Sequence, residues 1–214
     1  MNSKRWISGL SVAMLLAGTG YIATTAMADD KAKPDAKHEA KAEAKGVKVG
    51  DAAPDFTLTD TTGKSFTLSE LTKKGDIVVL EWFNSECPFC KKHGEAGTMK
   101  KIVADYQGKN VVMLGINSGP DSKGKDAAAI KTWSLNYPIL QDGNGKVGHL
   151  YGAKTTPHMF IVGKDGKIAY MGAIDDQKDG GKNYVRQALD QIIKGETVTE
   201  PSTKSYGCSV KYAG

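Results

Sequence analysis

An almost unbroken apolar run, IVVLEWF at residues 77–83, is followed four residues later by the first of two cysteines, Cys87 and Cys90. A strand of this composition is typical of the centre of an α/β sheet, where both faces are covered. Pro88 favours the first position of a helix, because its missing backbone N–H would have no partner there. The segment therefore predicts a buried strand that leads into a helix whose N-terminus carries a Cys-x-x-Cys motif.

A Cys-x-x-Cys motif in this context indicates redox chemistry. The unpaired N–H groups and the dipole of the first helical turn stabilise a thiolate, so Cys87 is expected to be an acidic, exposed nucleophile. Cys90, one turn deeper, would attack the mixed disulfide on Cys87 and release the reduced partner. Half a zinc site and a purely structural disulfide are the alternatives, and the strand-to-helix context favours the redox interpretation.

Strands and helices alternate along the chain from residue 47 onward. The predicted elements are a hairpin over 55–68, a strand at 77–83, a helix at 88–107, a strand at 110–117, a helix at 126–136, a strand at 137–140, a helix at 146–151, a hairpin over 159–171 and a helix at 184–193. This order predicts an α/β fold in which a central mixed β-sheet has helices on both faces and an N-terminal β-hairpin.

The N-terminal part has a different composition. Residues 1–28 carry two basic residues, Lys4 and Arg5, then continue without any charge and end in Ala-Met-Ala, which predicts a signal peptide cleaved before Asp29. An uncleaved membrane anchor is the alternative. Residues 29–46 contain no aromatic residue and no Val, Ile or Leu, which predicts a charged Ala/Lys-rich linker. The globular domain is therefore expected to span residues 47–214.

The charge and cysteine content exclude two classes of protein. The net charge of +5 is mild, and Arg5 and Arg186 are the only arginines, whereas sites for phosphate and bases favour arginine. We therefore expect no nucleic acid partner. Three cysteines in 214 residues also exclude a small disulfide-dense scaffold.

Several segments resemble one known family. WFNSECPFCK at residues 82–91 resembles the active-site segment of thioredoxin-fold proteins, and VGDAAPDF at 49–56 resembles the start of redoxin domains. That branch includes peroxiredoxins and exported thiol:disulfide oxidoreductases. Residues 155–157 are similar to the family's cis-proline loop, and the tail at 207–212 resembles a peroxiredoxin-like subgroup. The resemblance covers about residues 47–212 and implies a thioredoxin-like fold.

The resemblance also implies substrate-binding residues. A cis bond before Pro157 would turn the backbone of Thr156 toward Cys87, so that an extended substrate segment could pair with it like an added strand. Pro88 and Phe89, between the cysteines, are expected to contact the same substrate. The alternative is a trans proline that ends a loop.

Two further residues are candidates for the catalytic set. Glu81 corresponds to an acidic position of thioredoxins, where a buried carboxyl has a raised pKa and takes the proton from Cys90. The alternative is that Glu81 points outward. Cys208 could resolve an intermediate on Cys87, pair with another chain or stay free.

Departures from the peroxiredoxin pattern bear on the activity. Leu80 and Asn84 stand where peroxiredoxins carry Pro and Thr, and Arg186, in the predicted last helix, is the only arginine of the mature chain. Members of the similar subgroup often have an apolar residue in the place of Cys90. We therefore expect disulfide exchange, with a thiol peroxidase that uses Cys87 and resolves through Cys90 or Cys208 as the alternative.

A copper(I) carrier of thioredoxin fold is a third hypothesis, since His93 and His158 follow the cysteine motif and the proline loop. Copper-delivery relatives have three residues between their cysteines, which counts against it. We expect an exported, periplasmic or otherwise extracytoplasmic oxidoreductase with antioxidant activity. It would act on disulfide-bearing proteins, need no cofactor beyond the Cys87–Cys90 disulfide, and receive electrons from a membrane relay protein if it works as a reductant.

Overall fold

The structure, a computed structural model, describes residues 46–178 and 180–213. The predicted signal peptide at 1–28 and the linker up to residue 45 lie outside the described residues. Within the described ranges, no helix is both long and apolar enough to cross a membrane.

A seven-stranded mixed sheet forms the centre of the fold. Its strands are β1 (Thr57–Asp60), β2 (Ser65–Thr67), β3 (Ile77–Trp82), β4 (Val111–Asn117), β5 (Ile139–Gln141), β7 (His158–Val162) and β8 (Ile168–Gly172). They lie side by side in the order β2-β1-β5-β4-β3-β7-β8. β3, β4 and β5 run parallel, and the other pairs are antiparallel. This arrangement confirms the predicted mixed sheet and N-terminal hairpin.

Six helices accompany the strands within the described residues. They are α1 (Leu68–Lys73), α2 (Pro88–Ala96), α3 (Thr98–Asp105), α4 (Lys123–Thr132), α5 (Lys146–Tyr151) and α6 (Tyr184–Lys194).

Two of the predicted helix ranges are wrong. The helix predicted over 88–107 is divided into α2 and α3 at Gly97, whose left-handed φ of 66° ends α2. The helix predicted over 126–136 starts and ends earlier, at Lys123 and Thr132, with Ser122 at the N-cap position and Trp133 at the C-cap position.

The two faces of the sheet support separate apolar cores, as the alternation of side chains along β3 shows. Ile77 and Val79 pack with residues of α3, α4 and α6, whereas Val78, Leu80 and Trp82 pack with residues of α1 and α5. Helices therefore cover both faces, as predicted. The same alternation places Glu81, the next residue after Leu80, on the face that carries α3, α4 and α6.

A second, two-stranded sheet joins the loop before β7 to the C-terminal tail. β6 (Thr155–Thr156) pairs antiparallel with β9 (Cys208–Ser209), with Thr156 opposite Cys208. The peptide bond between Thr156 and Pro157 is cis. The tail thereby lies beside the segment that precedes β7.

Candidate active site

The site lies between the end of β3 and the start of α2. Cys87 is the N-cap residue of α2, with extended backbone angles, and Pro88 occupies the first turn. The Cys87 carbonyl accepts a hydrogen bond from the Lys91 N–H at 2.9 Å, which is the first bond of the helix. The Cys87 N–H donates to the Asn84 carbonyl at 3.0 Å. The strand end and the helix start together fix the backbone of Cys87.

Several donors converge on the Cys87 sulfur. Together they lower the pKa of Cys87 to about 4, with the Cys90 thiol as the largest cause, although burial acts in the opposite direction. The Thr156 side chain, the Cys90 backbone N–H and the Cys208 thiol contribute smaller parts of this lowering, in that order. The acidity expected for Cys87 is therefore supplied mainly by its neighbouring thiol.

Thr156 changes its role with the ionisation of Cys87. In the thiol form, Cys87 Sγ donates to the Thr156 carbonyl oxygen at 2.9 Å. A thiolate cannot donate, and that contact then becomes repulsive. The Thr156 hydroxyl is buried with no other hydrogen-bond partner, so it is available to donate to the thiolate instead.

Cys90 has the opposite acidity. It is 1% exposed, and burial raises its pKa well above the ordinary value of a thiol, with the hydrogen bond to Cys87 and the charge of Glu81 acting in the same direction. The two cysteines therefore differ strongly in acidity. The first is a candidate thiolate and the second a candidate proton donor.

Glu81 is buried under the cysteines, at 2% exposure, so the interpretation in which it points outward is wrong. The pKa of Glu81 is raised to about 7, mainly by burial and to a smaller extent by the charge of Cys87, while a hydrogen bond from Tyr137 acts in the opposite direction. Tyr137 donates this bond to Oε2 at 3.0 Å. A carboxyl with a pKa near neutrality can both accept and return a proton in the physiological range.

The expectation that Cys87 is exposed is wrong, because the side chain is 2% exposed. The C-terminal tail supplies part of the cover. Thr156 pairs with Cys208 in the small sheet, and this brings the Cys208 thiol near enough to Cys87 to lower its pKa. The same interaction with Cys87 is the main reason why the pKa of Cys208 is raised. The structure thus brings all three cysteines together.

Phe89 is the exposed member of the motif, at 38% exposure, and its ring lies 5.9 Å from that of Tyr206. Tyr206 donates a hydrogen bond to Asp175 at 2.6 Å, and its hydroxyl lies 2.8 Å from His93 Nε2. This network joins α2, the loop after β8 and the tail.

The other residues weighed from the sequence are engaged in contacts of their own. His93 Nδ1 lies 3.2 Å from the Thr98 hydroxyl, and His158 Nδ1 accepts from the Lys154 N–H at 3.3 Å. Arg186 forms an ion pair with Asp105 on α3. Among the described residues, no group of three or more His, Cys, Asp or Glu side chains is placed to hold a metal ion.

Two residues of the site escaped the sequence analysis. Tyr137 carries no motif, and its contact with Glu81 spans 56 positions of sequence. Gly207 has a φ of 119°, and a Cβ atom there would lie 2.2 Å from the Thr156 carbonyl oxygen. The glycine next to Cys208 was the available signal for such a close approach.

Comparisons with known proteins identify a family and several relatives of this chain. The family model described as AhpC/TSA family matches residues 49–171. A thiol-disulfide oxidoreductase, ResA, from Bacillus thuringiensis subsp. konkukian is 27% identical over 144 residues, which are 66% of this chain and 79% of the relative.

Solved structures with the same fold include proteins with and without a named activity. A hypothetical protein from Sinorhizobium meliloti 1021 is 30% identical, with a TM-score of 0.71, over 78% of this chain and 96% of that chain. A putative thiol:disulfide interchange protein DsbE from Chlorobium tepidum is 28% identical, with a TM-score of 0.55, over 70% of this chain and 98% of that chain. The fold is therefore thioredoxin-like, and the chain is similar to oxidoreductases that act on thiols and disulfides.

Proposed function

The chain belongs to the AhpC/TSA family and is a thiol-disulfide oxidoreductase, and from this premise we propose that it exchanges disulfides with protein partners through Cys87 and Cys90. The observation that carries the proposal is the opposite perturbation of the two thiols. The pKa of Cys87 is lowered to about 4, whereas burial raises that of Cys90 well above its ordinary value.

The reaction begins at Cys87. Its thiolate attacks one sulfur of the partner disulfide, the partner's S–S bond breaks, and one partner sulfur leaves as a thiolate. A mixed disulfide then joins Cys87 to the partner. Cys90 attacks the Cys87 sulfur, the mixed disulfide breaks, and the second partner sulfur leaves. Two electrons have passed to the partner, and Cys87 and Cys90 form a disulfide.

Glu81 is proposed to be the base for the second step. Cys90 must lose its proton before it attacks, and its raised pKa makes this loss unfavourable without a neighbouring base. The carboxylate of Glu81 is close enough to raise the pKa of Cys90, and its own pKa of about 7 suits proton transfer. Tyr137 positions the carboxyl through its hydrogen bond to Oε2.

The test follows one turnover of the reduced protein with a disulfide-bearing protein such as insulin. Samples are quenched in acid and alkylated, and the cysteines are mapped by mass spectrometry. We expect Cys90→Ser to accumulate a mixed disulfide on Cys87 and Cys87→Ser to remain unreacted. A Cys87→Ser variant that reduces insulin as fast as the parent would refute the proposal.

A thiol peroxidase is a second candidate function, favoured by the placement of Cys208 opposite Thr156 and near Cys87. The Cys87 thiolate would attack the peroxide, giving a sulfenic acid and releasing water or an alcohol. Cys208 or Cys90 would then form a disulfide with Cys87 and release water. Treatment of the reduced protein with one equivalent of hydrogen peroxide distinguishes the two candidates. If the protein is a peroxidase, hydrogen peroxide should form the Cys87 disulfide far faster than insulin does.

Export is also part of the proposal. It rests on the composition of residues 1–28, which has the charge pattern and final Ala-Met-Ala of a signal peptide. Cell fractionation with N-terminal sequencing tests it, and a mature chain that starts at Asp29 in the extracytoplasmic fraction is the expected result. If the protein works as a reductant there, a membrane relay protein would return electrons to the Cys87–Cys90 disulfide.

A further inference from the structure

The C-terminal tail occupies the backbone edge that a polypeptide substrate would need. Thr155 and Thr156 form β6, and their antiparallel partners are Ser209 and Cys208 of β9. Next to β9, the Val210 N–H donates to the Lys154 carbonyl at 3.1 Å. An extended substrate strand pairs through backbone groups of this kind. The tail and a substrate strand cannot pair with this edge at the same time.

Contacts at both ends of the segment fix the tail in place. Tyr206 bonds to Asp175 and to His93 ahead of β9. Tyr212 donates to the Ala153 carbonyl at 2.8 Å beyond β9, and its ring stacks on His149 at 4.0 Å. These contacts hold Cys208 against the Cys87 sulfur.

Gly207 allows the close approach. Its φ of 119° is one that L side chains rarely adopt, and a Cβ atom would lie 2.2 Å from the Thr156 carbonyl oxygen and 3.2 Å from Pro157 Cδ. Backbone atoms cannot yield in the way that a flexible side chain can. A side chain at position 207 is therefore incompatible with the observed position of the tail.

We propose that the segment Tyr206–Ser209 is a specificity-determining element that occupies the Thr155–Thr156 edge in the place of a substrate strand, with Cys208 in the position of the substrate cysteine. The proposal rests on the proposed disulfide exchange. A protein disulfide reacts only after β9 leaves the whole edge, whereas a small disulfide needs only a local displacement of the tail that uncovers the Cys87 sulfur, which is 2% exposed in the closed form. The closed form therefore discriminates against polypeptides and in favour of small disulfides.

The test compares two substrates in single turnovers of the full-length, pre-reduced protein. Insulin represents polypeptide disulfides and hydroxyethyl disulfide represents small ones. Gly207→Val should release β9, and Gly108→Val is the matched control, since Gly108 also has a positive φ but no atom within 4 Å of a Cβ. Faster amide exchange at residues 208–210, with β3 still protected, reports release without unfolding.

A protein that is open only a small fraction of the time reacts at a rate reduced to that fraction. Gly207→Val should therefore react with insulin at least about tenfold faster than the parent. Its reaction with hydroxyethyl disulfide should be less than about threefold faster than that of the parent. Tyr206→Phe, which removes the two bonds to Asp175 and His93, should raise the insulin rate by up to about 30-fold, since each such bond contributes roughly 1 kcal/mol. Gly108→Val should change neither rate.

Two results would overturn the inference. One is an unchanged amide exchange of the tail in Gly207→Val. The other is an unchanged ratio of the two rates, whether neither substrate or both substrates equally are accelerated. If the proposed disulfide exchange itself is wrong, the pattern of results is different. Neither substrate then reacts with the parent or with any variant, while the amide exchange still reports whether the tail is released.

Discussion

Replacement of Cys90 by alanine should raise the pKa of Cys87, because the Cys90 thiol is the strongest of the donors that stabilise the Cys87 thiolate. A hydrogen bond to a charged group contributes about 1.5–3 kcal/mol, which corresponds to a rise of about 1–2 pKa units. The remaining donors, among them the Thr156 side chain, stay in place. The pKa of Cys87 should therefore remain below that of an ordinary thiol.

The assay is the rate of alkylation by iodoacetamide as a function of pH, with the modified residue identified by mass spectrometry. Cys208→Ser serves as the parent, so that the tail sulfur does not react. Cys90 does not interfere in the acidic range, because its pKa is raised well above the ordinary value. The midpoint of the alkylation curve gives the pKa of Cys87 directly.

Cys90→Ser in the same background is the matched control, since it keeps a hydroxyl donor at the same place and should shift the curve less than Cys90→Ala does. An unshifted curve in Cys90→Ala would show that the first turn of α2, and not the neighbouring thiol, is the source of the acidity. Equal shifts of the curve in Cys90→Ser and Cys90→Ala would also contradict this explanation, because they would show that the pKa of Cys87 does not depend on a hydrogen-bond donor at position 90.

Glu81→Gln should slow the attack of Cys90 about 100-fold, because a positioned base contributes at least that factor, and quenched samples should then contain a persistent mixed disulfide on Cys87. Folding raises the pKa of Glu81 from 4.5 to about 7. Ionisation of this residue therefore leaves the free energy of unfolding unchanged below pH 4.5 and lowers it by on the order of 3 kcal/mol above about pH 7. Urea unfolding should accordingly find Glu81→Gln more stable than the parent at about pH 8 and nearly equal at about pH 5. Tyr137→Phe removes the bond that lowers the pKa of Glu81 in the folded state, so the fall in stability, which still begins near pH 4.5, should extend to higher pH in the same unfolding series. Gly115→Ala should destabilise the protein by about 1–3 kcal/mol in urea, because its Cβ atom would lie 2.4 Å from Ile139 Cδ1 in the packed core.

The part of the site that is continuous in sequence could be predicted. The strand, Cys87, Pro88 and Cys90 follow one another along the chain, and local rules for strands and helix N-termini apply to them directly. The mixed sheet and its hairpins followed from the same rules. The division of the 88–107 helix at Gly97 had a local signal, the glycine itself, but a glycine inside a helical pattern is also tolerated.

Contacts between distant segments could not be predicted. The bond from Tyr137 to Glu81 depends on how β5 approaches the sheet, and no periodic pattern marks that tyrosine. β9 has only two residues, too few for an alternating pattern to indicate a strand. The burial of Cys87 depends on this strand, which explains why the sequence predicted its acidity correctly and its exposure incorrectly.

The acidity and the accessibility of Cys87 have separate structural origins. The donors that lower its pKa most are Cys90 and Thr156, whereas Cys208 contributes least among those named. Displacing the tail should therefore expose the sulfur without making it an ordinary thiol. Gly207→Val should leave the midpoint of the alkylation curve within about half a unit of the parent, since one minor donor is lost, while the rate on its plateau rises less than about threefold, as for the small disulfide. A shift of the midpoint as large as that in Cys90→Ala would mean that the tail controls the charge of the nucleophile as well as access to it.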